Sequence, residues 1–183
     1  MFRVKIYTDG GCIGNPGPGG YAYHVSGSRS HNGLVSASYL LTTNNRMELM
    51  AVIAALETLP KRYCMIDVYS DSKYVVDAIE KGWVYGWIRK GLNNRINGDL
   101  WVRLLDALEK HKYVKFIWVR GHAGDKYNEL VDRAANAAAR ALTGGLVDEG
   151  YISAINGPTP GGNPTPKEVF DERCAELALE WDN

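Results

Sequence analysis

With 183 residues, 45% of them hydrophobic, the chain is long enough for one domain with a real core and too apolar to be disordered. No apolar run reaches membrane-spanning length, "MFRVKIY" carries no signal-peptide pattern, and the 3 cysteines, Cys12, Cys64 and Cys174, form neither a disulfide framework nor a CxxC zinc pair, so a reduced, cytoplasmic setting is expected. The formal net charge is zero, but residues 144–183 hold 8 acidic and 2 basic residues, a net of −6, which leaves 19 basic and 13 acidic, a net of +6, on the rest; a basic body points to a polyanionic partner, unless the charges cluster by chance.

"FRVKIYTD" alternates, with Val4 and Ile6 on one face and Arg3, Lys5, Tyr7 and Asp9 on the other, which reads as a strand. "GYAYHVSG" and "GLVSASYLLTT" read as two more, and the short Gly-rich breaks favour an antiparallel meander. The period then changes. "NNRMELMAVIAALETLP" is a helix of good formers stopped by Pro60. "YCMIDVYSD" is a strand, and "SKYVVDAIEKG" a short helix ending at Gly82. "GDLWVRLLDALEKHK" is a helix with Asp99 as expected N-cap, "VKFIWVRG" a strand, and "DKYNELVDRAANAAARALTGG" a long helix opened by Asp125 and closed by Gly144. A meander followed by alternating strands and helices predicts an α/β fold, a mixed sheet with helices on both faces. "GPTPGGNPTP" is a linker. After it, Thr165, Pro166 and Glu168 form a capping-box pattern, and Phe170, Cys174, Leu177 and Trp181 recur at helical spacing, which predicts an amphipathic helix.

Four carboxylates stand out. Asp9 closes a strand before the Gly/Pro-rich loop "GGCIGNPGPGG", where it is either a turn residue or a strand-end ligand. Asp71 ends a strand and suits a helix cap. Glu48 opens a helix that is apolar nearly all round from Leu49 to Leu56, so it either caps the first turn or faces a charged site. Asp132 shares a polar stripe with Asn128 and Asn136, which taken alone reads as solvent exposure.

The segments "YTDGGCIGNPGPGG", "TTNNRMELMA", "YSDSKYV" and "WVRGHAGDKYNELVDRAA" resemble, in order and spacing, those of a bacterial-type ribonuclease H, type 1. The resemblance covers about residues 1–143, the expected catalytic domain; residues 144–183 form an acidic, Gly/Pro-linked extension with no recognised counterpart. It implies a ribonuclease H-like α/β fold, a five-stranded mixed sheet of order 3-2-1-4-5 flanked by helices on both faces. It implies metal ligands Asp9, Glu48, Asp71 and Asp132, with His122 as an auxiliary catalytic residue. Four carboxylates in one place resist ionising together, and two divalent cations remove that conflict. Hard oxygen ligands suit Mg²⁺, with Mn²⁺ as a substitute. The implied activity is endonucleolytic hydrolysis of the RNA strand of an RNA–DNA hybrid by two metal ions, leaving 3′-OH and 5′-phosphate ends. The alternatives are a related polynucleotidyl transferase core and a catalytically weak hybrid-binding module.

The same resemblance implies that Cys12, Asn15, Asn44, Asn45 and Ser72 contact the two strands across the minor groove, where the 2′-OH marks RNA, and that Thr43 holds a DNA phosphate. Helix capping is the structural alternative for Asn44 and Asn45. "KGWVYGWIRKGLNNRING" corresponds to the family's basic protrusion, with Lys81, Arg89, Lys90 and Arg95 and no acid between them. Trp83 and Trp87, four apart, share a helical face; one is expected to pack and the other to touch substrate. Gly11, Lys73 and Leu92 depart from the usual pattern, Lys73 at a substrate-binding position. The expected partner is the hybrid, with no membrane, and the expected state is a monomer.

Overall fold

The computed structural model describes residues 3–28, 31–60, 65–92, 95–141 and 145–156. Five strands form one sheet of order β3-β2-β1-β4-β5. Strands β1 (Arg3–Cys12), β2 (Gly17–Ser26) and β3 (Gly33–Thr42) make the antiparallel meander. Strand β4 (Met65–Ser70) lies parallel to β1, and β5 (Val114–Trp118) parallel to β4. The helices are α1 (Asn44–Thr58), α2 (Lys73–Glu80), α3 (Trp83–Arg89), α4 (Gly98–Glu109), α5 (Lys126–Ala141) and α6 (Glu149–Asn156). The expected mixed sheet and its order are as observed.

The two faces of β1 bury different things. Val4 and Ile6 enter the main core with Met47, Ile53 and Leu56 of α1 and Trp101 and Leu104 of α4. Tyr7 packs on the opposite face with Ala22, Val131 and Ala135, under α5. Alternation at period two thus feeds two layers at once. Helix α1 is buried nearly all round between sheet and α4, as its apolar run requires. Trp101 is fully buried and satisfies its indole N–H on the Tyr74 hydroxyl at 3.1 Å. Truncating so large a buried ring costs about 3–5 kcal/mol.

Helix ends follow local chemistry, with one departure from expectation at α4. Asp125 does cap α5, its Oδ1 accepting from the N–H groups of Tyr127 at 2.9 Å and Asn128 at 3.1 Å. The N-cap of α4 is Asn97, in the left-handed region at φ 62°, and not Asp99. Asp99 sits in the first turn, where it accepts two hydrogen bonds from Arg46 at 2.8 and 2.6 Å. Gly144, the expected end of α5, lies outside the described residues.

Beyond α5 the chain returns to the sheet. Leu146 pairs with Tyr39 of β3 as a parallel bridge. Buried Asp148 accepts from Arg46 and from the Thr42 hydroxyl at 2.6 Å. Burial pushes the Asp148 carboxyl up, but the bonds and charge of Arg46, with Thr42, outweigh it and leave the group below its ordinary value. Residues 145–156, which by sequence belong to the acidic extension, are therefore bonded to the body. The pattern Phe170, Cys174, Leu177, Trp181 lies outside the described residues. Among the described residues no helix is long and apolar enough to cross a membrane.

Candidate active site

Strands β1 and β4 are parallel neighbours, so their C-terminal ends open at the same edge of the sheet, where α/β folds place ligands. Asp9 lies near the end of β1 and Asp71 directly follows β4. The third carboxylate arrives on α1 because of Gly10. A β-carbon on Gly10 would lie 2.2 Å from the main-chain carbonyl carbon of Met47; only glycine lets helix and strand meet backbone to backbone. That contact brings Glu48 beside Asp9. One carboxylate oxygen from each of Asp9, Glu48 and Asp71 lies within 4.8 Å of the others.

Electrostatics make this trio uncomfortable without a cation. Burial first, then the Asp71 charge and more weakly Asp132, push the Asp9 carboxyl up to about 7. Its Oδ1 accepts from the Gly10 N–H at 2.7 Å, which opposes the rise. Burial, then Asp9 and Asp71, hold Glu48 well above the usual carboxylate range. Glu48 Oε2 is buried and has no hydrogen-bond partner among the described residues. A buried carboxylate oxygen left without a donor costs free energy, and a hard divalent cation satisfies it. The donor set fits such an ion.

Asp132 approaches from α5 on the other face of the sheet. It is outside the close trio, but its charge reaches Asp9. Asn136 Nδ2 donates to Asp132 Oδ1 at 2.8 Å and to its main-chain oxygen at 3.0 Å, which aims the carboxylate. His122 Nδ1 lies 3.9 Å from Asp132 Oδ2, with the imidazole 80% exposed and the residue at φ 54°. The polar stripe expected on α5 is only partly solvated, since Asn128 is buried.

The residues expected to read the hybrid converge on the loop after β1 and the start of α1. Asn15 Oδ1 accepts from the Asn44 N–H at 3.1 Å and the Cys12 thiol at 3.5 Å, and Asn44 Oδ1 accepts from the Cys12 N–H at 2.7 Å. The N-cap of α1 is Thr43, not Asn44 or Asn45, and Thr43 makes no side-chain cap bond. Asn45 is exposed beside it. Across the site Ser72, not Asp71, is the N-cap of α2. Lys73 is exposed, its ammonium 5.0 Å from the centre of the Trp118 ring.

The basic segment after α2 contains a helix, α3, which the sequence signalled only through the helical spacing of Trp83 and Trp87. Its two tryptophans differ in their surroundings. Trp87 packs edge-on to buried Trp101 at 5.3 Å, with the Arg95 guanidinium 4.0 Å from its ring centre. Trp83 is 47% exposed, with Lys81 Nζ 5.1 Å from its ring centre. Arg89 and Lys90 are exposed at the end of α3, and Leu92 is fully buried, anchoring the segment.

Sequence reasoning also missed α6 and Trp118. Eight residues of α6 before a Pro/Gly run carry little periodic signal. The tryptophan sat in plain view in a matched segment, but its partners are far off in sequence.

Comparison with known proteins gives one answer. The family model described as RNase H matches residues 2–140. A ribonuclease H of Desulforamulus reducens is 51% identical over 143 residues, spanning 75% of this chain and 88% of that one. A ribonuclease H of Klebsiella pneumoniae is 48% identical over 155 residues, spanning 82% and 96%. Among solved structures, LC9-RNase H1, a type 1 RNase H with the type 2 active-site motif, superimposes with a TM-score of 0.67 at 34% identity, covering 85% of this chain and 82% of that one.

Proposed function

The chain belongs to the ribonuclease H family and is an endonuclease that hydrolyses the RNA strand of RNA–DNA hybrids in a metal-dependent reaction, and we propose that Asp9, Glu48, Asp71 and Asp132 hold two divalent cations at its centre. The observation that carries this reading is the buried, partnerless Oε2 of Glu48 inside the trio of acids. Mg²⁺, or Mn²⁺ in its place, would supply a water acidic enough to attack and a counter-charge for the leaving 3′ oxygen. The new bond joins water oxygen to phosphorus, the bond to the 3′ oxygen breaks, and the products are a 5′-phosphate and a 3′-OH.

The remaining residues bind, orient and move protons. Asn15, Asn44 and Asn45, with Cys12 and Ser72, offer both donors and acceptors to the minor groove, where 2′-OH groups distinguish RNA from DNA. Thr43, its hydroxyl unused in capping, takes a DNA phosphate. Lys73 meets substrate from the start of α2, and Trp83, Trp87, Arg89 and Lys90 form the protrusion side of the binding face, Trp83 by contact and Trp87 by packing. His122, exposed and near Asp132, carries a proton or assists product release. The protein acts as a monomer in the cytoplasm.

A labelled hybrid, assayed beside double-stranded DNA and double-stranded RNA with and without Mg²⁺, tests the reading. Only the RNA of the hybrid is expected to be cut, and D71N is expected to be inactive yet folded. Cleavage of double-stranded DNA would indicate a related transferase core, hybrid binding without cleavage a binding module, and an active D71N would overturn the ligand assignment.

A further inference from the structure

Trp118 closes β5, and its side chain reaches back across the sheet edge to the turn that carries Asp71. The indole Nε1 donates to the main-chain oxygen of Asp71 at 3.0 Å. The ring face takes the Lys73 ammonium at 5.0 Å. One side chain therefore holds both ends of the Asp71–Lys73 turn. The next residue continues the link, Val119 N–H donating to Ser70 O at 3.0 Å. Two residues further, a β-carbon on Gly121 would lie 2.6 Å from Asp71 Oδ2, so the chain leading to His122 runs directly against the carboxylate. Trp118 is 44% exposed; it adds little to the core, yet both its polar edge and its face are engaged.

Lys73 gives the contact a second consequence. An ammonium two residues from Asp71 is a natural rival for any cation sought by Asp9, Glu48 and Asp71. Cation–π attraction to an indole is the strongest of its kind, and it parks this charge to one side. Among the described residues Lys73 makes no ion pair within 4.0 Å.

We propose that Trp118 is a positioning residue: its N–H fixes the aim of Asp71, and its ring keeps the Lys73 ammonium out of the carboxylate cluster. The proposal rests on Asp71 being a metal ligand. It does not require Trp118 to touch substrate.

The test uses the full-length chain, with W118F, W118A and W118A/K73Q, and three readouts: kcat and KM on a hybrid, Mn²⁺ affinity by calorimetry without substrate, and thermal melting. W118F loses the hydrogen bond but keeps the aromatic face. Its kcat is expected to fall about fivefold, the equivalent of one neutral hydrogen bond, with KM unchanged and Mn²⁺ bound correspondingly more weakly. W118A is expected to weaken Mn²⁺ further by releasing Lys73, and K73Q in that background to return the affinity to the W118F value. Native kcat and Mn²⁺ affinity in W118F overturn the proposal, as does a lowered melting temperature with Mn²⁺ affinity unchanged, which marks Trp118 as a mere anchor. D71N runs alongside. If D71N cleaves and binds Mn²⁺ normally, the reading of the site fails; if D71N is inactive while W118F is native, only the role of Trp118 fails.

Discussion

Arg46 donates two hydrogen bonds of 2.7 Å to Asp148, from Nε to Oδ2 and from Nη2 to Oδ1. The segment after α5 is thereby tied to the helix that carries Glu48, two residues from Arg46. Both side chains are buried, at 3% and 6% exposure, so removing Asp148 leaves the buried guanidinium with Asp99 alone as its counter-charge. D148N is expected to destabilise the protein by about 3 kcal/mol, a fall in melting temperature of about 6–12 °C for a chain of this size. Because Asp148 is held below its ordinary value, its contribution is present at neutral pH and lost as pH falls through the folded value. Urea melts at pH 7 and pH 3 check this: the gap between native protein and D148N should narrow at the lower pH.

Truncation should divide the extension in two. Residues 157–183 hold 6 acidic and 2 basic residues, a net of −4. A chain ending at residue 156 keeps Asp148 and is expected to melt as the full protein does. It is also expected to bind hybrid more tightly at low salt, the difference fading as screening shortens to about 10 Å near 0.1 M. A chain ending at residue 144 loses Asp148 and should melt lower. Equal low-salt affinity of the 156-residue and full-length chains would refute the electrostatic role, and a lower melting temperature for the 156-residue chain would mean that the tail packs on the body.

The acid cluster fixes a sign for metal and pH. With Asp9 raised from 3.8 to about 7 and Glu48 also raised, the metal-free folded state holds more protons than the unfolded chain between these values. The site's contribution to stability is full below about pH 4 and declines as pH rises through 7. A divalent cation reverses this by favouring the ionised form. Mg²⁺ should raise the melting temperature more at pH 8 than at pH 5; an equal rise at both would contradict the assignment.

His122 is no ligand in this reading. H122A should lower kcat by roughly a hundredfold or less and leave Mn²⁺ affinity in calorimetry unchanged. A loss as complete as that in D71N would give the imidazole a larger part.

The protrusion separates binding from packing. W83A should raise KM with the salt slope unchanged, while R89A with K90A should raise KM and lower the salt slope of binding, by about one unit per lost phosphate contact. W87A should lower the melting temperature, because Trp87 packs on Trp101. A native KM and salt slope in R89A/K90A would mean that this face does not meet nucleic acid.

What the sequence determined by itself is local or periodic. Alternation in "FRVKIYTD", the apolar run of α1 and the Asp125 cap of α5 depend on residues a few positions apart, so the five strands and the longer helices were legible, while the order of the sheet came from the family resemblance. The resemblance of four segments named Asp9, Glu48, Asp71 and Asp132 as one group. Tertiary structure decided what depends on approach between distant segments. Gly10 against Met47 seats Glu48 beside Asp9 and raises both carboxyls. Asp99 looked like a cap and became a partner of Arg46, because the guanidinium, itself buried, offers stronger bonds than a helix terminus. Which tryptophan packs was set by Trp101 lying beneath Trp87 and not Trp83. The bond from Trp118 to Asp71 spans 47 positions, and no sequence window encodes it; the parallel register of β4 and β5 brings the two ends together.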